Sequence, residues 1–393
     1  SASAPTRPPA RSHATLFTGQ EVGRHGLLRN GEPLPDAVPT LAEAFRTGGW
    51  RTAGFVSSFV LDGRFGWGRG FETWDDELPD ASATMTQAPY PGAFWADHRF
   101  AGFDRRATAT TQAALAWLRD HDPGEPFFLF VHYFDPHAPY VPPRPYARRT
   151  ARMPVSLEHR EVPGLPAERL ARMIRRYHAE VLYADESLGT LLAAVAERSA
   201  GRGVLVVVTS DHGEGLGQHG WLEHAVHLYD EQIRVPLVLH WPGTLPAGHR
   251  VRTPVGLLDV APTVAELVGL PALAAVDGRS LAAAARGGPE PAARPVFGDR
   301  HLVAEDGGWD RGVKRSVRTE EWKLIQASEG PSELYDLDAD PGELRDVYGD
   351  REAVAAALGK LLDEHAAALP EAGPAAPLSD ETREALRALG YAE

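Results

Sequence analysis

Apolar residues along this chain fall into two alternating textures. Short runs of β-branched and aromatic residues, "RTAGFVSSFV" (51–60), "PFFLFVHYF" (126–134), "GVLVVVTS" (203–210) and "VPLVLHWPG" (235–243), read as strands. Three of the four are apolar throughout, as strands covered on both faces are. Stretches with helical spacing lie between them. "TLAEAFRTGG" (40–49) has Thr40 as N-cap and Gly48–Gly49 as stop, "ATATTQAALAWLRDH" (107–121) follows, an amphipathic stretch runs from Pro166 to about Arg198, and "DVAPTVAELVGL" (259–270) is a further capped helix. This alternation predicts an α/β fold with a mostly parallel central sheet sandwiched by helices. After about residue 290 the texture changes. Residues 312–344 read as three short antiparallel strands, and helices at 351–367 and 380–389 follow, separated by the linker "PEAGPAAP". The pattern therefore divides the chain into an α/β domain over 1–290 and a small antiparallel α+β subdomain over 291–393.

Composition narrows the picture only a little. The chain has 393 residues, 43% hydrophobic and 24% charged, which is ordinary for a globular protein. A net charge of −14 without a basic stretch argues against a nucleic-acid partner. Lysine occurs only at Lys314, Lys323 and Lys360 among many arginines, a compositional bias that leaves single arginines little weight. The absence of cysteine removes disulfides, zinc-thiolate sites and a thiol nucleophile. No apolar run is long enough to span a bilayer. The abrupt start, without an initiator Met or signal peptide, points to a fragment or a processed form.

Chemistry is expected where strands end, because loops there aim side chains into a crevice. "GVLVVVTSDHGEGLGQHGWLEH" delivers Asp211 and His212 directly from a buried strand, an oxygen and a nitrogen donor suited to a divalent cation. "FFLFVHYFDPHAPYVPP" ends in His132, Asp135 and His137. Strand alternation places His132 on one face with Phe130 and Phe134, a structural position, whereas His137 lies beyond the strand in the loop.

Seven segments then occur in the order seen in sulfatases of the alkaline phosphatase superfamily: "HATLFTG" with a following "HG" and Asn30, "PFFLFVHYFDPHAPYVPP", "SDHGEGLGQHG", "LYDEQIRVPLVLHWPG", "LLDVAPTVAELVGLP" with "DGRSL", "ELYDLDADPGE", and "LRALGY". The chain resembles that family from about Ser12 to Tyr391. The resemblance implies metal-dependent hydrolysis of sulfate esters, or of phosphate mono- or diesters in related members, with a degenerate non-catalytic member as the third reading. Asp211 matches the metal-ligand aspartate, and His212 stands where many sulfatases have Asn and related phosphodiesterases have His. His137 matches a histidine that contacts the ester or protonates the leaving group, and His25 the histidine downstream of the nucleophile. His224 and His227 fall where a lysine or histidine faces the substrate oxygens, His224 being preferred. The implied cofactor is one divalent ion, calcium first, with manganese or zinc as alternatives. The implied substrate is a small-molecule or glycan sulfate or phosphate ester, and the implied location periplasmic or extracellular.

The nucleophile is less direct. In sulfatases it opens a C/S-x-P-S-R motif and becomes formylglycine; in related phosphodiesterases it is an unmodified Thr in T-x-P-N-H. Counting back from Thr18–Gly19, Ser12–His13 aligns with the Ser-Arg or Asn-His pair, and the nucleophile falls on Pro9, which cannot attack. Reading "PAR" (9–11) as an insertion makes Thr6 the nucleophile; otherwise the nearby hydroxyl is Ser12, or none is competent. Formylglycine is not expected. The "ASAPTRPPARSHATLFTG" stretch reads as a loop that enters structure at Thr18–Gly19. Gly23 occupies the position of one family lysine, with Arg24 beside it as a substrate-binding candidate together with Ser12 and His13. The strand that carries the family's paired metal-binding aspartates has no counterpart in the few residues before this loop. Loops 77–104 and 141–165 are the expected walls of the alcohol pocket.

Overall fold

The computed structural model describes residues 2–3, 9–78, 104–199, 201–224, 226–302, 312–370 and 377–388. Thr6, most of loop 77–104 and the terminal Gly390–Tyr391 lie outside the described residues. The chain opens with β1 (Ala2–Ser3), α1 (Pro9–Thr18), α2 (Val22–His25), α3 (Leu41–Thr47), β2 (Arg51–Phe55), β3 (Thr73–Asp75), α4 (Ala107–Asp120) and β4 (Phe127–Val131). It continues through α5 (Arg144–Thr150), α6 (Ala167–Arg198), β5 (Val206–Thr209), β6 (Gly215–Leu216), β7 (Leu222–Glu223), α7 (Asp230–Ile233), β8 (Arg234–Val235), β9 (Leu237–His240), β10 (Val255–Gly256) and α8 (Val260–Val268). After the short α9 (Ala282–Ala285) come β11 (Val296–Leu302), β12 (Gly312–Arg318), β13 (Trp322–Ala327), β14 (Glu333–Asp336), α10 (Glu352–Ala368) and α11 (Asp380–Ala388).

The expected α/β architecture is present. β2 runs parallel to both β3 and β4, and β1 parallel to β10, whereas β1–β8 and β5–β9 are antiparallel. Alternation along β4 sorts the layers: Phe127, Leu129 and Val131 meet Ala114 and Leu118 of α4 and Leu191 and Val195 of α6. Phe128 and Phe130 face the opposite side, where Phe128 stacks on Phe45 of α3 at 4.4 Å. The Gly at position 54 is required by this packing, since a Cβ there would lie 2.3 Å from the Trp74 ring. Thr40 caps α3 as expected, in a capping box with Glu43.

Two elements depart from the sequence reading. Residues 9–18 form a helix rather than a loop, because Pro9 fits the first turn, where its missing N–H costs nothing, and Asn30 Oδ1 accepts the Ala10 N–H at 3.1 Å. The three antiparallel strands expected over 312–344 are present as β12, β13 and β14, but a further strand, β11, precedes them in a sheet of order β11-β12-β13-β14. Its first strand is hard to see because "VFGDRHL" places Asp299 and Arg300 mid-strand. Asp299 is satisfied by Arg11 of α1 at 2.9 Å, and Arg300 is fully buried.

One face of that sheet packs on α10 through Val317, Leu324, Leu334 and Leu358. The other docks on the α/β layer: Ile325 and Tyr335 meet Leu228 and Ile233. Lys323, with no exposed surface, reaches Asp230 at 2.9 Å and Glu343 at 2.7 Å.

A second buried group gives a pH-dependent stability. Glu21, between α1 and α2, is pushed up to about 7 by burial and by the neighbouring Asp277 and Asp299. The folded state thus holds its proton more tightly than the unfolded chain, so stability falls as pH rises from the ordinary carboxylate value towards 7. Glu21→Gln is expected to raise stability by up to about 3 kcal/mol at pH 8 and to change nothing at pH 4. Urea unfolding at the two pH values checks this, and an equal effect at both would refute it.

Candidate functional site

Three segments converge at the ends of β4 and β5. Beyond β5, Ser210 Oγ donates to the His212 carbonyl at 2.6 Å, and the His212 N–H donates to Asp211 Oδ1 at 3.1 Å, which fixes both side chains. Position 213 must be Gly, because a Cβ would lie 2.2 Å from the Glu231 carbonyl. Beyond β4, the His137 N–H donates to Phe134 O at 2.7 Å, and its ring stacks on Phe134 at 4.3 Å. His224 follows the β6–β7 hairpin, directly after Glu223, whose φ of 67° turns the chain into the site.

Each of His137, His212 and His224 places one ring nitrogen within 4.8 Å of the other two. The rings of His212 and His224 stack at 3.8 Å, and His137 meets His224 edge-on at 4.8 Å. Asp211 Oδ2 lies 3.6 Å from His212 Nε2 and 3.7 Å from His13 Nδ1. Glu214, two residues past His212, has Oε1 at 3.2 Å from His224 Nδ1.

Electrostatically the site centres on Asp211, with His13, His132 and His137 kept neutral beside it by burial. Burial opposes charge on Asp211, yet the surrounding His212, His13, His132 and His224 hold it well below the usual carboxylate range. Burial lowers His13 and His137, and brings His132 down to about 3. Glu214 is pushed up to about 7 by burial, against the pull of His212 and Tyr140. A cation fits this set: an ionised oxygen and a ring nitrogen 3.6 Å apart are spaced to share one ion. Among the described residues the cluster offers mainly nitrogen, which suits zinc-like ions better than calcium.

The sequence-derived candidates are divided by the structure. Asp211, His212, His137 and His224 come together, and His13 of α1 joins them through Asp211. Ser12 is buried on α1. His25 is engaged elsewhere: Nδ1 accepts the Leu27 N–H at 3.2 Å, and Nε2 therefore donates to Thr15 Oγ1 at 3.1 Å. Burial, then Arg11, brings His25 down to about 3. Arg24 pairs with Asp277 at 2.9 Å. His227 is buried between Trp221 and Tyr229, 4.7 and 5.4 Å away. Two members were not candidates from the sequence, His132 because its strand position reads as structural. His132 does sit on the Phe130 face, but there it meets the His13 ring at 5.3 Å. Glu214 was signalled only by its place in "SDHGEG".

Comparisons with known proteins bear on the whole chain. The sulfatase family model matches residues 7–270, and that of the N-sulphoglucosamine sulphohydrolase C-terminal region matches 217–368. Choline-sulfatase of Rhizobium meliloti is 26% identical over 391 residues, covering 88% of this chain and 73% of that protein. Delta 4,5-hexuronate-2-O-sulfatase of Bacteroides thetaiotaomicron is 25% identical over 400 residues, covering 92% and 78%. In structure, the phosphonate monoester hydrolase of Agrobacterium radiobacter superposes with a TM-score of 0.75 at 24% identity, over 93% of this chain and 87% of that one. A likeness at that identity is one of fold.

Proposed function

The chain belongs to the sulfatase family, and from that premise we propose that it hydrolyses esters of inorganic oxyacids with the help of a divalent cation, sulfate esters being the first class. The observation that supports this most is the meeting of Asp211, His212, His137 and His224 from separate segments in one cluster. Bound there, a cation supplies polarisation of an ester oxygen and neutralises charge on it.

The chain's own groups do the rest. Asp211 supplies the negative charge that holds the cation, and His212 the adjoining nitrogen. His13 is oriented by donating Nδ1–H to the Pro9 carbonyl at 2.8 Å, so its ring is fixed beside Asp211. The attacking group in this reading is an unmodified hydroxyl on the link between β1 and α1, with Thr6 as the candidate and no formylglycine. His137 presents a ring nitrogen and, held neutral by burial, can accept a hydrogen bond there.

His212 favours a second reading. An imidazole where sulfatases carry an amide is the pattern the sequence shares with phosphorus-ester hydrolases, so phosphate mono- and diesters are the second class. Assays of aryl sulfate, aryl phosphate and bis-aryl phosphate with added calcium, manganese or zinc separate the two. Cation-dependent sulfate turnover above diester turnover is the expected result. The reverse order establishes the phosphorus reading, and silence on all three with every metal overturns the hydrolase.

A further inference from the structure

Positive charge is not spread evenly over this molecule. Residues 141–178 hold nine arginines and three glutamates, a formal charge of +6 in a chain whose total is −14. Most of these arginines stand three or four residues apart, so the helical turn is what gathers them. α5 and the turn after it present Arg144, Arg148 and Arg152 at every fourth position, all exposed. α6 presents Arg169, Arg172 and Arg176 on one face, the middle one exposed and the outer two half-buried. None of the six forms an ion pair with a described residue, whereas Arg149 pairs with Glu186.

The two helices make one surface. Tyr146 Oη donates to Glu186 Oε2 at 2.9 Å and Arg175 Nε to the Met153 carbonyl at 2.9 Å, so α5 runs antiparallel along α6. Arg152 therefore lies beside the turn that carries Arg172 and Arg176. The other face of that turn seats the loop of His137. Ala138 and Tyr140 pack on Leu170, Met173 and Ile174, and the Val141 N–H donates to Glu180 Oε1 at 2.6 Å. The arginines thus stand about one helix diameter, about 10 Å, from a wall of the site.

From this we infer that α5 and the first half of α6 form a docking surface for a polyanionic polysaccharide, sulfated or carboxylated, and that esters borne on such a chain are the substrate class of the adjoining site. The second clause rests on the hydrolase reading; the first does not. Guanidinium groups meet sulfate and carboxylate in bidentate pairs. Arginines four residues apart on a helix are spaced by about 6 Å, so one extended chain can engage several of them. Pairs that are weak singly at an exposed surface then act together. None of the exposed large apolar side chains among the described residues lies between 141 and 178. The surface therefore lacks the anchors that enter a bilayer and the aromatic platforms that stack single-stranded bases.

Binding of fluorescein-labelled dextran sulfate to the full chain, read by anisotropy, tests the surface without turnover. Affinity is expected to fall by about 10-fold or more between about 50 and about 200 mM salt, and uncharged dextran is expected not to bind. Arg144→Glu/Arg148→Glu and Arg169→Glu/Arg172→Glu, each checked by circular dichroism, are expected to weaken binding by about 10-fold or more. The α6 variant should leave aryl-ester kcat/KM unchanged. Dextran sulfate should compete with the aryl ester in the native chain, and should need about 10-fold more polymer to do so in that variant. Unchanged affinity in both folded variants, or equal binding of uncharged dextran, overturns the surface. So does tighter binding to phosphatidylserine vesicles or to a thymidine oligonucleotide, which would assign these arginines to a membrane or a nucleic acid. Binding without competition overturns the substrate class. Binding with no turnover of any ester counts against the hydrolase and leaves the surface standing.

Discussion

Replacing Asp211 with Asn is expected to lower kcat/KM on whichever ester is turned over by about 1,000-fold, equivalent to about 4 kcal/mol of transition-state stabilisation. The substitution is nearly isosteric, so the hydrogen bond that the His212 N–H makes to Asp211 Oδ1 has an acceptor in the amide oxygen. What disappears is charge. Asp211 is the ionised centre of a cluster in which burial keeps the His13, His132 and His137 imidazoles neutral. Without it the cation would be bound by neutral donors only, and the ester's own negative charge would be met by less positive potential. A thermal readout separates this from misfolding. Zinc at about 100 times its dissociation constant should stabilise the native chain by about 2.7 kcal/mol, and the same concentration should shift the variant far less. Equal shifts, or a kcat/KM within a few-fold of the native chain, would remove Asp211 from the site.

How much of this was legible in the sequence depended on whether the partners were local. The helix 260–268 and the capped helix 41–47 follow from period and caps within a dozen residues, and their bounds came out within two residues of the reading. Asp211 and His212 were legible because a strand of Val206–Thr209 ends in them, and ligands gather at strand ends. His137 was preferred to His132 for lying past the strand, and it does enter the cluster. The helix 9–18 was not legible, because one of its groups is completed by Asn30, 20 residues on, and Arg11 by Asp299, 288 residues on. For the same reason Arg24 looked available for substrate in the sequence. Its partner Asp277 is 253 residues away. His132 shows the limit from the other side: alternation fixed its face correctly, but nothing local says that α1 brings His13 to that face.

The motif "ELYDLDADPGE" carries the last prediction, and it concerns how the two layers hold the site. Glu343, its final residue, lies at a φ of 56° and is almost wholly buried, with its Oε2 accepting the Asp230 N–H at 2.6 Å. Lys323 on β13 bridges Glu343 and Asp230, and Arg318 on β12 adds a contact of 2.7 Å to Asp230. The His219 imidazole, on the loop of the β6–β7 hairpin, joins the same network at the Glu343 carbonyl, 2.8 Å away, and stacks on Tyr229 at 3.7 Å. His224 hangs between that hairpin and Asp230, so the C-terminal sheet clamps both ends of the segment that delivers it. Lys323→Met keeps the buried stem and removes the ammonium, leaving two buried carboxylates that share one neighbourhood. The expected cost is about 3–5 kcal/mol of stability at neutral pH, the size found when one partner of a buried ion pair is deleted. The sign of its pH dependence is set by the same groups. In the native chain burial opposes charge on Asp230, but Lys323 and Arg318 outweigh it and depress its pKa, whereas burial raises that of Glu343. Without Lys323 both carboxylates take up protons more readily in the folded state, so the deficit should shrink as pH falls towards 5. Urea denaturation at pH 7.5 and pH 5 reads both quantities. A deficit under about 1 kcal/mol, or one that grows on acidification, would mean that the sheet is held by its apolar contacts and that the ion network is incidental.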